Sequence, residues 1–182
     1  LVFVGVSFWL TEQMCFWLAL ASVLIWMLFL IPSMFRDLPL QGTISGHLYQ
    51  FLYWFSILGS FCAVYALYHQ SALMLLSIMK LVWLADIGAY FAGRAFGKHK
   101  LAPSISPGKT WEGAIGGVIA VLLVVTAVFY FTSWHMTLAS KIHAKYGWLA
   151  VICALVVLVA LSILGDLLES KLKRRAGVKD SS

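Results

Sequence analysis

The chain has 182 residues, of which 62% are hydrophobic and only 11% charged, with a mean hydropathy of +0.93 and a formal net charge of +6. Charged residues make up roughly a quarter of a soluble domain, so this composition excludes a soluble protein and defines an integral membrane protein. The net charge matters less than its placement along the chain, taken up below.

A spanning helix needs about 20 mostly apolar residues. Five windows qualify, at 14–31, 48–68, 72–93, 113–131 and 147–164. The fold class that follows is all-α: a polytopic integral membrane protein with about five transmembrane helices, read as one membrane-embedded domain over 1–182. Residues 1–10 are apolar but too short to span. The first residue is Leu and no charged stretch precedes the apolar runs, so no signal peptide is read, and a chain lacking its natural beginning is expected.

Residues 1–70 supply apolar spans joined by a loop over 32–47, marked by Pro32, Pro39, Gly42 and Gly46. Cys15, Cys62 and Cys153 fall within predicted spans without the paired spacing of a disulfide framework or metal site, and are expected to be buried small apolar residues. The chemistry is expected in residues 71–182.

The third window differs because it holds Lys80 and Asp86. A charge near the bilayer centre costs on the order of 2.5–3.5 kcal/mol on insertion scales, so each needs a partner or water. At about 100° per residue, Ala85, Ala89, Gly93 and Gly97 form a small-residue stripe suited to close helix contact. Asp86, Tyr90 and Arg94 form the stripe beside it, expected to look into a gap between helices. The bland alternative for Asp86 is an ion pair with Arg94 or Lys80.

Gly97 is expected to stop this helix, and 98–109 to be a loop stiffened by Pro103 and Pro107. The fragment Pro107-Gly108-Lys109-Thr110 invites a P-loop reading, which fails because Pro103 stands where the motif needs glycine and no strand is expected before it. The local physics survives. Gly108 admits close backbone approach, Lys109 offers an ammonium, and Thr110 either caps the next helix or meets a phosphate beside the positive end of its dipole. Glu112, in the first turn, suits that dipole. Gly113 and Gly117 have the spacing of tightly packed membrane helices, which predicts packing on the small stripe of the third span and brings Asp86 near Glu112.

Residues 131–146 read as a short external loop. Its His135 and His143, with His47, His69 and His99, match no zinc spacing. Beyond the fifth window, Asp166, Glu169, Ser170 and Lys173 fall at i, i+3, i+4 and i+7, one helix face bearing two carboxylates, a hydroxyl and a cation at the membrane surface. Oxygen donors of this kind, where phosphates gather, point to Mg²⁺. A Glu169–Lys173 pair alone explains the spacing but not Asp166, which directly follows apolar residues.

Of the 13 Lys and Arg, Arg94, Lys98, Lys100 and Lys109 form one cluster and Lys171, Lys173, Arg174, Arg175 and Lys179 another. Two spans separate them, so both face one side, which the positive-inside rule makes cytoplasmic. Attraction to anionic lipid, worth about 1 kcal/mol per cation, is the baseline for such a patch.

The stretch from Ala85 to Gly113, ADIGAYFAGRAFGKHKLAPSISPGKTWEG, and that from Gly165 to Ser181, GDLLESKLKRRAGVKDS, together resemble the phosphatidate cytidylyltransferases, or CDP-diacylglycerol synthases. The second fits the first half of the family signature, S-x-x-K-R-x-x-x-x-K-D, at Ser170, Lys173, Arg174, Lys179 and Asp180. The resemblance implies a multispanning enzyme of phospholipid biosynthesis that makes CDP-diacylglycerol and pyrophosphate from CTP and phosphatidic acid with Mg²⁺. Its setting would be the bacterial inner membrane, with the active site facing the cytoplasm. The lipid bilayer is an expected partner, a homodimer an expected assembly, and nucleic acid is not expected.

Carried onto this chain, the resemblance makes Asp86, Lys109, Asp166, Lys173 and Arg174 the catalytic set and Asp166, Glu169 and Asp86 the metal-side carboxylates. Lys109, Thr110, Glu112, Ser170, Lys173, Arg174, Lys179 and Asp180 become substrate-binding residues. Ile87 departs from the family's small hydroxyl residue and Ser182 from its glycine, and the signature's later His-Gly-Gly and Asp-Arg-x-Asp segments are not in the chain. A CTP-dependent lipid kinase of the dolichol kinase type is the rival enzyme. A transporter with an ion path through Lys80, Asp86 and Asp166 is the rival from another class.

Overall fold

The structure is a computed structural model that describes residues 2–33, 43–131 and 137–177, with side chains from Gln13 onward. The chain folds into two compact units, Leu1–Leu75 and Leu76–Ser182.

In the first unit, α1 (Val2–Ile25) runs through a wider π turn (Trp26–Leu30) into the short α2 (Ile31–Ser33), and α3 (Ile44–Gln70) packs along it. The packing rests on small residues. Ser22 Oγ donates to the Phe55 carbonyl at 3.2 Å, and a Cβ at Gly59 would run into the Ser22 side chain. Thr43 caps α3, its hydroxyl accepting from the Gly46 amide at 3.1 Å, so the helix starts a few residues ahead of the predicted window. Of the cysteines, Cys15 and Cys62 are half-buried and Cys153 is exposed, which corrects the expectation that all three are buried: apolar side chains in a spanning helix need not face protein, because lipid is equally apolar.

The second unit takes most of α4 (Ala72–Phe96), then β1 (Lys100–Ala102), β2 (Ser106–Thr110), α5 (Trp111–Phe131) and α6 (Leu138–Arg175). Among the described residues, five helices are long and apolar enough to cross a membrane: Gln13–Ser33, Ile44–Gln70, Ala72–Phe96, Trp111–Phe131 and Leu138–Arg175. Each contains one predicted window, and the protein is an all-α polytopic membrane protein with one small hairpin among the described residues.

The core of this unit is a seam of Leu81 and Ala85 on α4, Val121 and Val125 on α5, and Val151, Leu155 and Val159 on α6. Toward the start of α5 the seam narrows to backbone against backbone, because both helices present small residues. A Cβ at Gly117 would lie 2.8 Å from the Ala85 carbonyl oxygen, one at Gly113 2.9 Å from that of Ala89, and one at Gly116 would overlap Ala92. The predicted contact between the small stripe of α4 and the glycines of α5 is therefore present.

Two further readings of the sequence are corrected. Residues 98–109 are not a plain loop: β1 and β2 pair antiparallel, with Lys100 opposite Thr110 and Ala102 opposite Ser106. Pro103 sits second in a tight turn closed by the Ile105 amide on the Ala102 carbonyl at 3.1 Å, where its fixed φ favours the reversal. Within the predicted external loop, residues 138–146 are helical. Thr137 and Ser140 form a reciprocal cap, Ala139 is buried, and Leu138 and Ile142 pack on the core. Gly147, with φ 77°, turns that segment into the long run that reaches Arg175, a conformation that side-chain-bearing residues seldom adopt. His135 lies outside the described residues. His143 packs against Phe129 and Trp148, at centroid distances of 4.7 and 4.8 Å, as part of an aromatic cluster.

Candidate active site

The polar stripe of α4, the β1–β2 hairpin, the first turn of α5 and the last turns of α6 enclose one cavity of about 730 Å³. Asp86, Tyr90 and Arg94 line it from α4 at successive helical turns, as the predicted gap-facing stripe requires. Gly108, Lys109 and Thr110 line it from β2, and Asp166 and Glu169 from α6. Three stretches far apart in sequence thus meet in one hollow.

Each residue is held by a local cause. Leu167 and Leu168, 5% and 4% exposed, seat this end of α6 in the protein, and Asp166 and Glu169 are the exposed residues on either side of them. Thr110 is 5% exposed, and its hydroxyl accepts the Gly113 amide at 3.1 Å, so it caps α5 as expected. It also fills the space left by Gly93, Gly97 and Gly113, each of which lacks the Cβ that would strike it. That wedge fixes where β2 ends and so where Lys109 emerges. Lys109 forms an ion pair with Asp166 across the cavity. Lys173 pairs with Glu169 at 2.7 Å, the predicted one-turn pair.

Asp86 makes neither a hydrogen bond nor an ion pair among the described residues, so the bland alternative, a pair with Arg94 or Lys80, is not formed. Arg94 instead donates to the Tyr90 hydroxyl at 3.1 Å.

Glu112 departs from expectation. It is absent from the cavity lining and reaches back to His99, taking the His99 backbone amide on both carboxylate oxygens at 3.2 Å and Nδ1 at 2.6 Å. The Trp111 amide closes the loop on the His99 carbonyl at 3.0 Å. The pairing brings together residues 13 apart, which only the hairpin makes neighbours. Glu112 and His99 therefore clasp the base of the hairpin, a role that the first-turn position alone did not reveal. At the other end, Arg174 Nε donates to the Ile105 carbonyl at 2.6 Å and ties the hairpin tip to α6. Ser170, Lys173 and Arg174 are not among the cavity-lining residues, and Lys179 and Asp180 lie outside the described residues.

The clasp makes a prediction independent of any activity. Glu112→Ala is expected to speed amide hydrogen exchange at His99 and across the β1–β2 pairs by at least about tenfold, because these amides exchange through local opening. Protection unchanged from the unsubstituted protein would contradict the clasp.

Cations, a capped helix start and hard carboxylate oxygens thus stand around one hollow in a helical unit, groups of the kind that hold phosphate. The cytidylyltransferase family matches residues 1–182, and the chain belongs to it. It is 46% identical over 114 residues to a phosphatidate cytidylyltransferase of Haemophilus influenzae, a stretch covering 63% of this chain and 38% of that protein. Over 109 residues it is 51% identical to the protein of the same name from Pseudomonas aeruginosa, covering 60% and 37%. A third, from Staphylococcus haemolyticus, is 48% identical over 103 residues, covering 55% and 35%. These matches span between 35% and 38% of the relatives' own length. No solved structure matches the chain.

Proposed function

We propose that the protein to which this chain belongs transfers a cytidylyl group from CTP to phosphatidic acid, giving CDP-diacylglycerol and pyrophosphate. The observation that carries the reading is the meeting of Lys109, Thr110, Asp86 and Asp166 around a single cavity, in a chain of the cytidylyltransferase family.

In the reaction, an oxygen of the phosphatidate phosphate attacks the α-phosphorus of CTP. A new P–O bond forms, the bond from that phosphorus to the bridging oxygen breaks, and pyrophosphate carries away the electron pair. The nucleophile is already anionic, so the site needs no strong base, and catalysis is positioning and charge neutralisation. Lys109, presented by β2, supplies a point charge to the nucleotide phosphates, exchanging its partner Asp166 for them. Thr110 keeps Lys109 in place, and Gly108, beside which a Cβ would meet nothing within 4 Å, leaves room for backbone approach. Lys173, Arg174 and Ser170 lie beyond the lining and take the lipid phosphate side or the departing pyrophosphate. Lys179 and Asp180 belong to the same proposed group.

Mg²⁺ fits the donor set. Asp86, Asp166 and Glu169 offer only hard oxygens to the cavity, and among the described residues no three His, Cys, Asp or Glu form a ready-made cage. That combination suits an ion held by one or two carboxylates together with substrate phosphates. Asp166 would hold it, with Asp86 and Glu169 in support, and when bound it would neutralise charge developing on the leaving group. The setting we propose is the bacterial inner membrane with the cavity facing the cytoplasm, supported by the two basic clusters at that end.

Lys109→Ala tests the reading. In the intact protein it is expected to raise the KM for CTP about tenfold or more while changing that for phosphatidate much less, the loss of a hydrogen bond to a charged group. An unchanged KM for CTP would refute the assignment.

A further inference from the structure

We infer that Arg94 is the residue that first takes hold of a phosphate entering the cavity. The inference rests on the cytidylyl-transfer reading for the identity of that phosphate, but its physical basis is the charge pattern of the cavity. Lys109 is committed to Asp166, and Lys173 to Glu169. Arg94 lines the same cavity, is exposed, and has no carboxylate partner among the described residues. Its one polar contact among the described residues is the Tyr90 hydroxyl at 3.1 Å, one turn below on the same face.

That contact orients the guanidinium and uses only one of its five N–H donors, leaving its fork for an anion. An incoming phosphate meets at Lys109 a cation whose carboxylate must first be displaced. At Arg94 it meets a cation with nothing to displace. A cation in the last turn of α4 also complements the helix dipole. Lysine would serve that purpose equally well, whereas it does not reproduce a planar fork.

The ligand chemistry is a phosphate or diphosphate oxyanion, which the nucleotide and the lipid headgroup share, and the experiment separates the two sources. Binding of inorganic pyrophosphate, and separately of phosphatidate in mixed micelles, is measured by calorimetry on the intact protein in detergent with divalent cations chelated. Arg94→Gln is expected to weaken one of the two probes about tenfold or more, and the probe affected names the source. Arg94→Lys, which keeps the charge and the dipole contact, is expected to restore only part of the loss, and Tyr90→Phe to give a smaller loss of the same kind.

Full affinity of Arg94→Gln for both probes overturns the inference, as do complete restoration by Arg94→Lys and failure of the unsubstituted protein to bind either probe. A protein that binds through Arg94 yet forms no cytidine-bearing lipid retains this inference and loses the proposed reaction.

Discussion

Asp166→Asn in the intact protein is expected to lower the rate of cytidylyl transfer at least about a hundredfold, the scale on which removing one preorganised electrostatic contact acts. The substitution is nearly isosteric and sits on the exposed side of α6, while the neighbouring Leu167 and Leu168 that anchor the helix are untouched. The loss should therefore appear in kcat with helical content unchanged. Two effects combine: the carboxylate proposed to hold a divalent ion is removed, and Lys109 loses the partner that orients it in the resting cavity. Normal turnover of CTP by the Asn variant, measured as pyrophosphate release, would remove Asp166 from the reacting centre.

Gly113→Val is expected to damage both fold and site. A Cβ at Gly113 would stand 2.9 Å from the Ala89 carbonyl oxygen, 3.1 Å from Thr110 Oγ1 and 3.4 Å from the Gly93 Cα. Two of these neighbours are backbone, which cannot rotate away, so α4 and α5 must separate. Overpacking of this kind costs about 1–3 kcal/mol, and the same shift drags Thr110, and with it Lys109, out of register with Asp166. A lowered melting temperature in detergent together with weakened CTP binding is the expected result. Gly108→Ala is the control: it meets nothing within 4 Å, so the melting temperature should stay where it is. A Gly113→Val protein as stable as Gly108→Ala would show that the close contact of α4 with α5 is not required.

The membrane spans were legible because run length and lack of charge are local properties of the sequence. The faces of α4 were legible too, since a 3.6-residue period places Asp86, Tyr90 and Arg94 on one side and Ala85, Ala89 and Gly93 beside them without reference to any partner. What the sequence concealed depended on closure. A three-residue strand carries no detectable alternation, and two prolines within 103–107 argued for loop, although one of them is what makes the turn. The Glu112–His99 clasp exists only once that hairpin has formed. The helical segment over 138–146 was hidden by its polar residues: Lys141 and Lys145 are exposed and His143 joins the aromatic cluster, while Leu138, Ala139 and Ile142 carry the packing. The Lys109–Asp166 pair has no signal in either stretch alone, and without that pair nothing distinguishes Arg94 from Lys109, the other cation that lines the cavity.

The most direct test of the account uses CTP labelled at either its α- or its γ-phosphorus, incubated with the intact protein, phosphatidate and Mg²⁺ in detergent micelles. Label from the α position should pass into the organic phase with cytidine, while label from the γ position should remain in water as pyrophosphate. Transfer of γ label to the lipid, with CDP left behind, would contradict the account and identify a CTP-dependent lipid kinase instead.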